Sequence, residues 1–237
     1  GEKVIVWGGN GFVGSRVCKE LQAQGCQVTS LSRSGGRPVW GAGAPWVDSV
    51  QWKMAEPSSA DAVSLLKGAD AVISCIGIIG LGKDEEMKAG NGDVNVRAVQ
   101  AAKEAGVPSF VYISVNSIVK DVVGSVLLKG YFAGKEATET AIHETYGNRG
   151  AVIRPSFIYG GEEFSTSPPR VPQGYGSFVE FVLSSALVRA LCNIERMPEF
   201  IKLVLEPPVL VDKIAKAAVA AALQTEAREG MLVCEGT

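Results

Sequence analysis

Lys3-Val4-Ile5-Val6-Trp7-Gly8-Gly9-Asn10-Gly11-Phe12-Val13-Gly14 is the stretch that decides the fold. An apolar, β-branched run meets a glycine turn, and Ser15 to Gln24 continues as a helix-like stretch before a second apolar run, Gln27 to Ser32. That is strand, turn, helix and strand in order. Glycines at 8, 11 and 14 have the spacing of a dinucleotide-binding turn, in which one glycine permits the tight turn, one admits a pyrophosphate to the backbone and one packs helix on strand. Gly8, Asn10, Gly11, Phe12, Val13 and Gly14 are therefore the expected phosphate cradle, at a helix N-terminus whose unpaired N–H groups and dipole favour an anion.

The bulk composition narrows the function classes. With 237 residues and 46% hydrophobic content the chain can bury one large core, so residues 1–237 are expected to form a single domain. A formal net charge of −2, with 23 scattered Lys and Arg, supplies no basic field and argues for no nucleic acid partner. The five cysteines (18, 26, 75, 192 and 234) are odd in number, widely spaced and mostly within apolar runs. They read as reduced core thiols of an intracellular protein, and no metal-ligand spacing is present. No apolar run approaches the roughly 18 to 20 residues of a membrane span, so the chain is expected to be soluble or peripheral and not transmembrane. With Gly1 directly before the first strand, any transit peptide is expected to be missing from this chain, which leaves the compartment unread.

Beyond the first unit, apolar runs alternate with helix-period stretches. Strands are expected near 3–8, 27–32, 50–54, 70–76, 109–115 and 150–158, and helices near 12–24, 59–67, 92–105 and 127–146. Such alternation implies an α/β fold, a doubly wound and mostly parallel sheet with helices on both faces. Ser58 or Ser59 is a plausible helix cap, and Gly25, Gly68 and Gly106 lie just past helix ends. Between Gly160 and Pro208 the pattern loosens around one amphipathic segment, Phe178 to Leu191. Residues 161–208 read as a small substrate-covering or partner-facing region over the carboxyl edge of the sheet. Val209 to Leu223 and Met231 to Cys234 then read as a short strand, a helix and a closing strand.

The end of the second strand, about 20 residues after the glycine turn, selects between nicotinamide cofactors, because an acid there binds the adenosine ribose of NAD. Here the chain reads Ser30-Leu31-Ser32-Arg33-Ser34, without an acid. Arg33 and the neighbouring hydroxyls suit a 2′-phosphate through charge-assisted hydrogen bonds. NADP(H) is thus expected over NAD(H).

Gly130-Tyr131-Phe132-Ala133-Gly134-Lys135 sets Tyr131 and Lys135 at i and i+4 on one helical face. An ammonium close to a phenol favours phenolate, so the pair is expected to lower the Tyr131 pKa and fit the tyrosine for acid–base work on a carbonyl or alcohol. Ser114 ends the strand between this helix and the glycine turn.

Together these pieces resemble the short-chain dehydrogenase/reductase superfamily, and the likeness covers nearly the whole chain. It rests on Gly8 to Gly14, on Ser74-Cys75-Ile76-Gly77, on Tyr131 with Lys135, on Arg154-Pro155-Ser156-Phe157-Ile158-Tyr159-Gly160 and on Pro208-Val209-Leu210-Val211-Asp212. The last two are typical of the extended and atypical branches. Ser30 to Gly35 and Gly130 to Lys135 most resemble plant and algal organellar NAD(P)-binding Rossmann proteins, relatives of the fungal coenzyme Q biosynthesis reductase-like subunit and of the Rossmann-fold accessory subunit of respiratory complex I. Carried over by residue, the resemblance implies Tyr131 as proton donor and Lys135 as the ribose ligand that tunes it. It implies Ser74, Ile76 and Gly77 as cofactor-binding, the last two as a wall of the nicotinamide pocket, with Pro155 and Ser156 at the nicotinamide amide. It also implies a mitochondrial or chloroplast address. One departure stands out: extended members commonly place the catalytic Ser or Thr straight after the strand-end Ser, where this chain has Val115. Ser114, Asn116 or Ser117 would have to substitute, and loss of one oxyanion donor can cost roughly 10²- to 10³-fold in rate.

Other residues read as structural. His143 has no second ligand at metal spacing, and Asp84, Glu85 and Glu86 read as a solvated loop. Trp40, Trp46 and Trp52 read as packing around the third strand, with a partner surface as the sharper alternative. Phe178, Phe181, Val182, Leu187 and Leu191 form a stripe of the kind that is usually core. Its place among Pro-rich loops suggests an isoprenoid-quinone or other apolar substrate pocket, or a peripheral membrane contact. Two functions remain open: an NADPH-dependent reductase of an apolar carbonyl or quinone-like substrate in an organelle, and a non-catalytic NADPH-binding accessory subunit or assembly factor of a larger organellar complex.

Overall fold

The computed structural model describes residues 1–79, 83–117, 119, 128–161, 165–166, 169–170, 173–184, 205–224 and 229–235. The chain runs β1 (Lys3–Trp7), α1 (Phe12–Ala23), β2 (Gln27–Ser32), α2 (Pro45–Ser49), β3 (Gln51–Met54), α3 (Ala62–Leu66), β4 (Ala71–Ser74) and α4 (Asp84–Lys88). A π-helical turn, Ala89–Asp93, joins α4 to α5 (Val94–Glu104), which is followed by β5 (Phe110–Ile113), α6 (Lys129–Tyr146) and β6 (Gly150–Arg154). Then come β7 (Ile158–Tyr159), β8 (Ser165–Thr166), β9 (Pro169–Arg170), α7 (Gln173–Leu183), β10 (Val209–Leu210), α8 (Val211–Leu223) and β11 (Leu232–Glu235).

Seven strands form one parallel sheet in the order β11-β6-β5-β4-β1-β2-β3. The chain builds outward from β1 to β3, returns, and builds the other way from β4. The order therefore reverses between β1 and β4, where doubly wound sheets open a crevice at the carboxyl ends of their strands. Both faces are covered, which explains why β1 is apolar at every position from Val4 to Trp7 rather than at alternate ones. Val4 and Val6 pack with Val17 and Leu21 of α1 and Ile214 and Ala218 of α8. Ile5 and Trp7 face the opposite layer, against Leu66 of α3, Val99 and Ala102 of α5, and Ile142 of α6.

The expected α/β, doubly wound sheet is the observed one, with shifts at element ends. Gly25, Gly68 and Gly106 adopt positive φ just past helix ends, as read from the sequence. Neither Ser58 nor Ser59 caps α3: Asp61 stands at the N-cap, and the Ser59 hydroxyl donates to the Glu56 carbonyl at 2.7 Å. Asp84 to Glu86 form the first turn of α4 rather than a loop, where three carboxylates suit the positive helix end. The tryptophans stack in series, Trp40 on Trp46 at 5.4 Å and Trp46 on Trp52 at 6.4 Å between ring centres. Trp46 and Trp52 close the α1-side core, and the Arg16 guanidinium lies 3.5 Å from the centre of the Trp40 ring.

The aromatic stripe departs from a core reading. Phe178 and Phe181 are 66% and 79% exposed, because α7 is pinned by its other face: Tyr159 donates to Glu180, and Lys213 pairs with Glu180 at 2.5 Å. Leu187 and Leu191 lie outside the described residues. No helix of the described residues is long and apolar enough to cross a membrane.

Helix α6 carries Gly130 and Gly134 one turn apart and lies against α4 and the π-turn. A Cβ on Gly134 would stand 2.7 Å from the Gly92 nitrogen and 2.8 Å from the Lys88 carbonyl oxygen; one on Gly130 would overlap the Asp84 carbonyl. In a free helix Gly→Ala gains about 0.5–1 kcal/mol. Here the obstruction is backbone, which cannot swing away, and overpacking typically costs about 1–3 kcal/mol. The second effect wins: Gly134→Ala is expected to lower the free energy of unfolding by about 1–2 kcal/mol in urea titrations. Unchanged or increased stability would show that the helices are not in backbone contact.

Candidate cofactor cleft and Tyr131–Lys135 pair

The glycine turn is built by close backbone approach. Gly8 has φ +74, and its N–H donates to the Leu31 carbonyl at 2.8 Å. A Cβ there would lie 3.2 Å from the Cys75 carbonyl oxygen. A Cβ at Gly14 would lie 2.2 Å from the Gly8 carbonyl oxygen, so only glycine lets α1 sit this low on β1. Gly11 is the N-cap of α1 with no side-chain cap, and the first turn contains no acid. Phe12 and Val13 begin that turn, so their backbone belongs to an uncapped, electropositive helix end. This donor set and the cradle that side chains would fill both fit a dinucleotide pyrophosphate.

Gly8, Asn10 and Gly11 line a cleft of about 700 Å³ at the strand-order reversal. Trp7 and Leu31 also line it, and among the described residues the Trp7 indole N–H has no hydrogen-bond partner. At the β2 end stand Ser32, Arg33 and Ser34. Ser34 Oγ accepts from Asn10 Nδ2 at 3.0 Å and from the Gly36 N–H at 3.2 Å, and Ser32 Oγ accepts from the Gly35 N–H at 3.1 Å. Each hydroxyl thus spends lone pairs on the loop and keeps its proton for another acceptor. Arg33 is exposed.

Ile76 and Gly77 line the cleft beyond β4. The π-turn fixes that wall: Asn91 Oδ1 accepts from the Ile78 N–H at 3.1 Å, and its Nδ2 donates to the Ile78 and Met87 carbonyls, both at 2.8 Å. Asn95 Nδ2 donates to the Ile76 carbonyl at 3.2 Å. Ser74 has a different place from the one its motif suggests. It is fully buried, donates to Asn95 Oδ1 at 2.5 Å and bolts β4 to α5 without lining the cleft.

Lys135 reaches the same wall from α6. A Cβ on Gly77 would be 3.3 Å from Lys135 Nζ, which donates to the Ile113 carbonyl at 2.9 Å and lies 5.6 Å from the centre of the Tyr131 ring. The proximity read from i, i+4 spacing is present, but the pKa expectation is reversed. Burial pushes the Tyr131 phenol up to about 12, and it pushes the Lys135 ammonium down to about 8 against the opposing pull of Cys75 and Glu139. Burial likewise raises the Cys75 thiol to about 12, while Lys135 pulls it down.

Ser114 is bonded to α6 two turns beyond Tyr131. Its hydroxyl donates to Glu139, which holds Arg154 through Nη2 at 2.6 Å, and Arg154 reaches Glu235 at 3.6 Å. Ser117 also donates to Glu235, and Asn116 Nδ2 to Glu206 at 3.3 Å. Val115, like Leu128 and Tyr131, packs against the buried pair Val119 and Phe132. Pro155 accepts from the Asn116 N–H at 2.9 Å, and Ser156 donates to the Pro207 carbonyl at 2.6 Å; neither lines the cleft.

Residues the sequence reading passed over include Asn91, Asn95 and Arg97. Asn91 and Asn95 continue the apolar row of Ala98 and Ala102 at helical spacing. Two asparagines within an apolar row are a legible signal, since buried amides need backbone partners. Gly90, Val94 and Arg97 form a second row that lines the cleft.

Comparison with known proteins agrees with this geometry. Residues 8–188 match the family described as NAD(P)H-binding. The chain is 40% identical over 219 residues to the Arabidopsis thaliana protein At1g32220, named as chloroplastic, covering 92% of this chain and 70% of that one. It is 41% identical over 80 residues to MIOREX complex component 2 of Saccharomyces cerevisiae, covering 32% of this chain and 29% of that one. Among solved structures, the Bacillus cereus UDP-glucuronic acid 4-epimerase in complex with NAD aligns with a TM-score of 0.65 at 18% identity, over 99% of this chain and 79% of the other. The UDP-N-acetylglucosamine 4-epimerase of Methanobrevibacter ruminantium M1 also gives 0.65, at 17% identity, over 99% and 76%. The fold is thus that of the epimerase and short-chain dehydrogenase/reductase group, and the chain belongs to the NAD(P)H-binding Rossmann family.

Proposed function

We propose that the protein is an NADPH-dependent reductase acting on an apolar carbonyl or quinone-like substrate in an organelle. The observation that supports this is a cleft running from the uncapped N-terminus of α1 to Gly77, with Lys135 behind that wall, not lining the cleft itself, and its Nζ 5.6 Å from the centre of the Tyr131 ring. NADPH, when bound, supplies a hydride. Gly8, Asn10, Gly11, Gly14 and the first turn of α1 hold its pyrophosphate, while Ser32, Arg33 and Ser34 take the 2′-phosphate. Lys135 holds the ribose, and Tyr131 gives its phenolic proton to the substrate oxygen; a phenol kept protonated by burial is suited to donate. Val115, Leu128 and Phe132 beside Tyr131, with Ile78 and Ile79 exposed nearby in sequence to the Gly77 turn, support an apolar substrate. Residues 161–208 are read as the substrate- or partner-facing part of a single domain, and the organellar reading leans on the plant relative's name.

A second reading has its own observation. Val115 shares the apolar cluster of Tyr131, while the Ser114 hydroxyl is held by Glu139, so Ser114 has no proton left to assist Tyr131. This favours a non-catalytic NADPH-binding accessory subunit, in keeping with a relative named as a complex component.

Wild type, Arg33→Ala and Tyr131→Phe, titrated with NADPH and NADH and then assayed across quinones and apolar carbonyls, separate the two. The reductase reading expects NADPH to bind more tightly than NADH, Arg33→Ala to erase that difference, and Tyr131→Phe to cut turnover at least about 100-fold with binding intact. Tight NADPH binding without turnover of any acceptor contradicts it and favours the accessory subunit.

The buried ammonium gives a further test. An unfolded lysine titrates near about 10.4, so between roughly pH 8 and 10.4 the unfolded chain binds more protons than the folded one, and stability from this group rises with pH across that window. The displacement is worth about 3 kcal/mol, offset by about 1 kcal/mol for the bond to Ile113. Lys135→Met is therefore expected to stabilise the cofactor-free protein by about 2 kcal/mol near pH 7, with the gain shrinking toward pH 10. Urea denaturation at both pH values measures it. A destabilised variant, or a gain independent of pH, would contradict the buried charge.

A further inference from the structure

Helix α7 turns its large apolar side chains to solvent and its charge to the protein, the reverse of a packed surface helix. Phe178, Phe181 and Val182, at i, i+3 and i+4, are exposed, while Gly176 is buried and Val179, Glu180 and Leu183 are half-buried. Two contacts hold the helix this way round. A Cβ on Gly176 would stand 2.3 Å from the Tyr159 ring, so only glycine lets α7 rest there. One turn on, the Glu180 carboxylate accepts from the Tyr159 hydroxyl and pairs with Lys213 at 2.5 Å. A roll that buried the phenylalanines would break both contacts and pull Glu180 away from its cation.

The chemistry of the outward face selects its occupant. Glu180 is the one charged residue of α7 and is engaged by Lys213 and Tyr159, so that face offers no charge for an ionic partner to read. At about 200 Å² for a whole phenylalanine side chain, rings 66% and 79% exposed present roughly 300 Å². Each partner of a stable protein–protein complex buries about 800 Å². A bilayer needs no complementary surface and takes up apolar side chains singly. At 11 residues α7 is about 16 Å long, so it suits the plane of a membrane surface and not a crossing of the roughly 30 Å hydrocarbon core. A formal net charge of −2 gives no basic field to draw the chain to anionic lipid, which leaves apolar insertion to supply the affinity.

We propose that the outward face of α7 docks on the surface of a lipid bilayer, with Phe178 and Phe181 as the inserted side chains and the Glu180 latch fixing their direction. The proposal goes beyond the cofactor reading and does not depend on it. A reductase of an apolar substrate would meet that substrate in such a membrane.

Co-sedimentation of the full chain with vesicles of phosphatidylcholine, and of phosphatidylcholine mixed with phosphatidylglycerol, tests it in the absence of cofactor. The double variant Phe178→Ser/Phe181→Ser is compared with wild type and with Val39→Ser, which removes an exposed apolar side chain from the loop after β2 instead. Both phenylalanines are exposed, so the double variant is expected to keep the wild-type thermal midpoint by circular dichroism. Wild type is expected to bind both kinds of vesicle alike and to stay bound in raised salt. The double variant is expected to partition about ten- to one-hundred-fold more weakly, and Val39→Ser as wild type does. Wild type that stays in the supernatant, or binds anionic vesicles alone and leaves them in salt, overturns the proposal. Equal binding by the double variant, or an equal loss in Val39→Ser, overturns it as well. So does a wild-type dimer, measured by light scattering, that the double variant converts to monomer, because the face then joins two copies of the chain. NADPH titration of the same samples reports separately on the cofactor reading.

Discussion

The contact of Gly14 on the Gly8 carbonyl is the constraint on which the rest of the site depends. A Cβ there would stand 2.2 Å from that oxygen, so a single methyl group would lift α1 off β1. With glycine present, the N-terminus of α1 drops to the carboxyl end of the central strand. Its uncapped N–H groups and dipole then face the gap where strand order reverses. An anion at this point would be held by backbone geometry, without need of a charged side chain from that turn.

The opposite wall uses the same device with different means. The π-turn between α4 and α5 bulges the helix so that Asn91 reaches the backbone of Ile78, while its own carbonyl accepts from Thr138 Oγ1 at 3.1 Å and Tyr112 Oη at 3.3 Å. Gly130 and Gly134 bring α6 close enough to that bulge for Lys135 to arrive behind Gly77. Burying an ammonium and a phenol together is costly, and their shifts in opposite directions record that cost. Evolved sites commonly retain such strain where chemistry or ligand binding requires it.

How much of this could be read from residues alone follows from which interactions are local. Strand and helix alternation, the glycine turn and the Tyr131–Lys135 spacing are local patterns, and the parallel sheet and the cleft follow from them. Motif spacing does not report what the hydroxyls of Ser74 and Ser114 bond, because each partner sits on a distant helix, Asn95 of α5 in one case and Glu139 of α6 in the other. The pKa of Tyr131 went the other way because spacing reports the neighbouring charge but not the desolvation. Phe178 and Phe181 follow a periodicity that fits a core stripe as well as an exposed one, and only Glu180 held by Tyr159 and Lys213 decides between them. The π-turn had no period of its own to betray it, although Asn91 and Asn95 in an apolar row marked its position.

The central claim is that the first turn of α1 holds a dinucleotide pyrophosphate. A crystal structure of the protein grown with NADPH tests it most directly. The account predicts the pyrophosphate oxygens within hydrogen-bond distance of backbone N–H groups between Gly11 and Gly14, with the nicotinamide end toward Gly77 and Lys135. A dinucleotide bound away from that turn, or bound with its nicotinamide at the Ser32–Ser34 end, would contradict it.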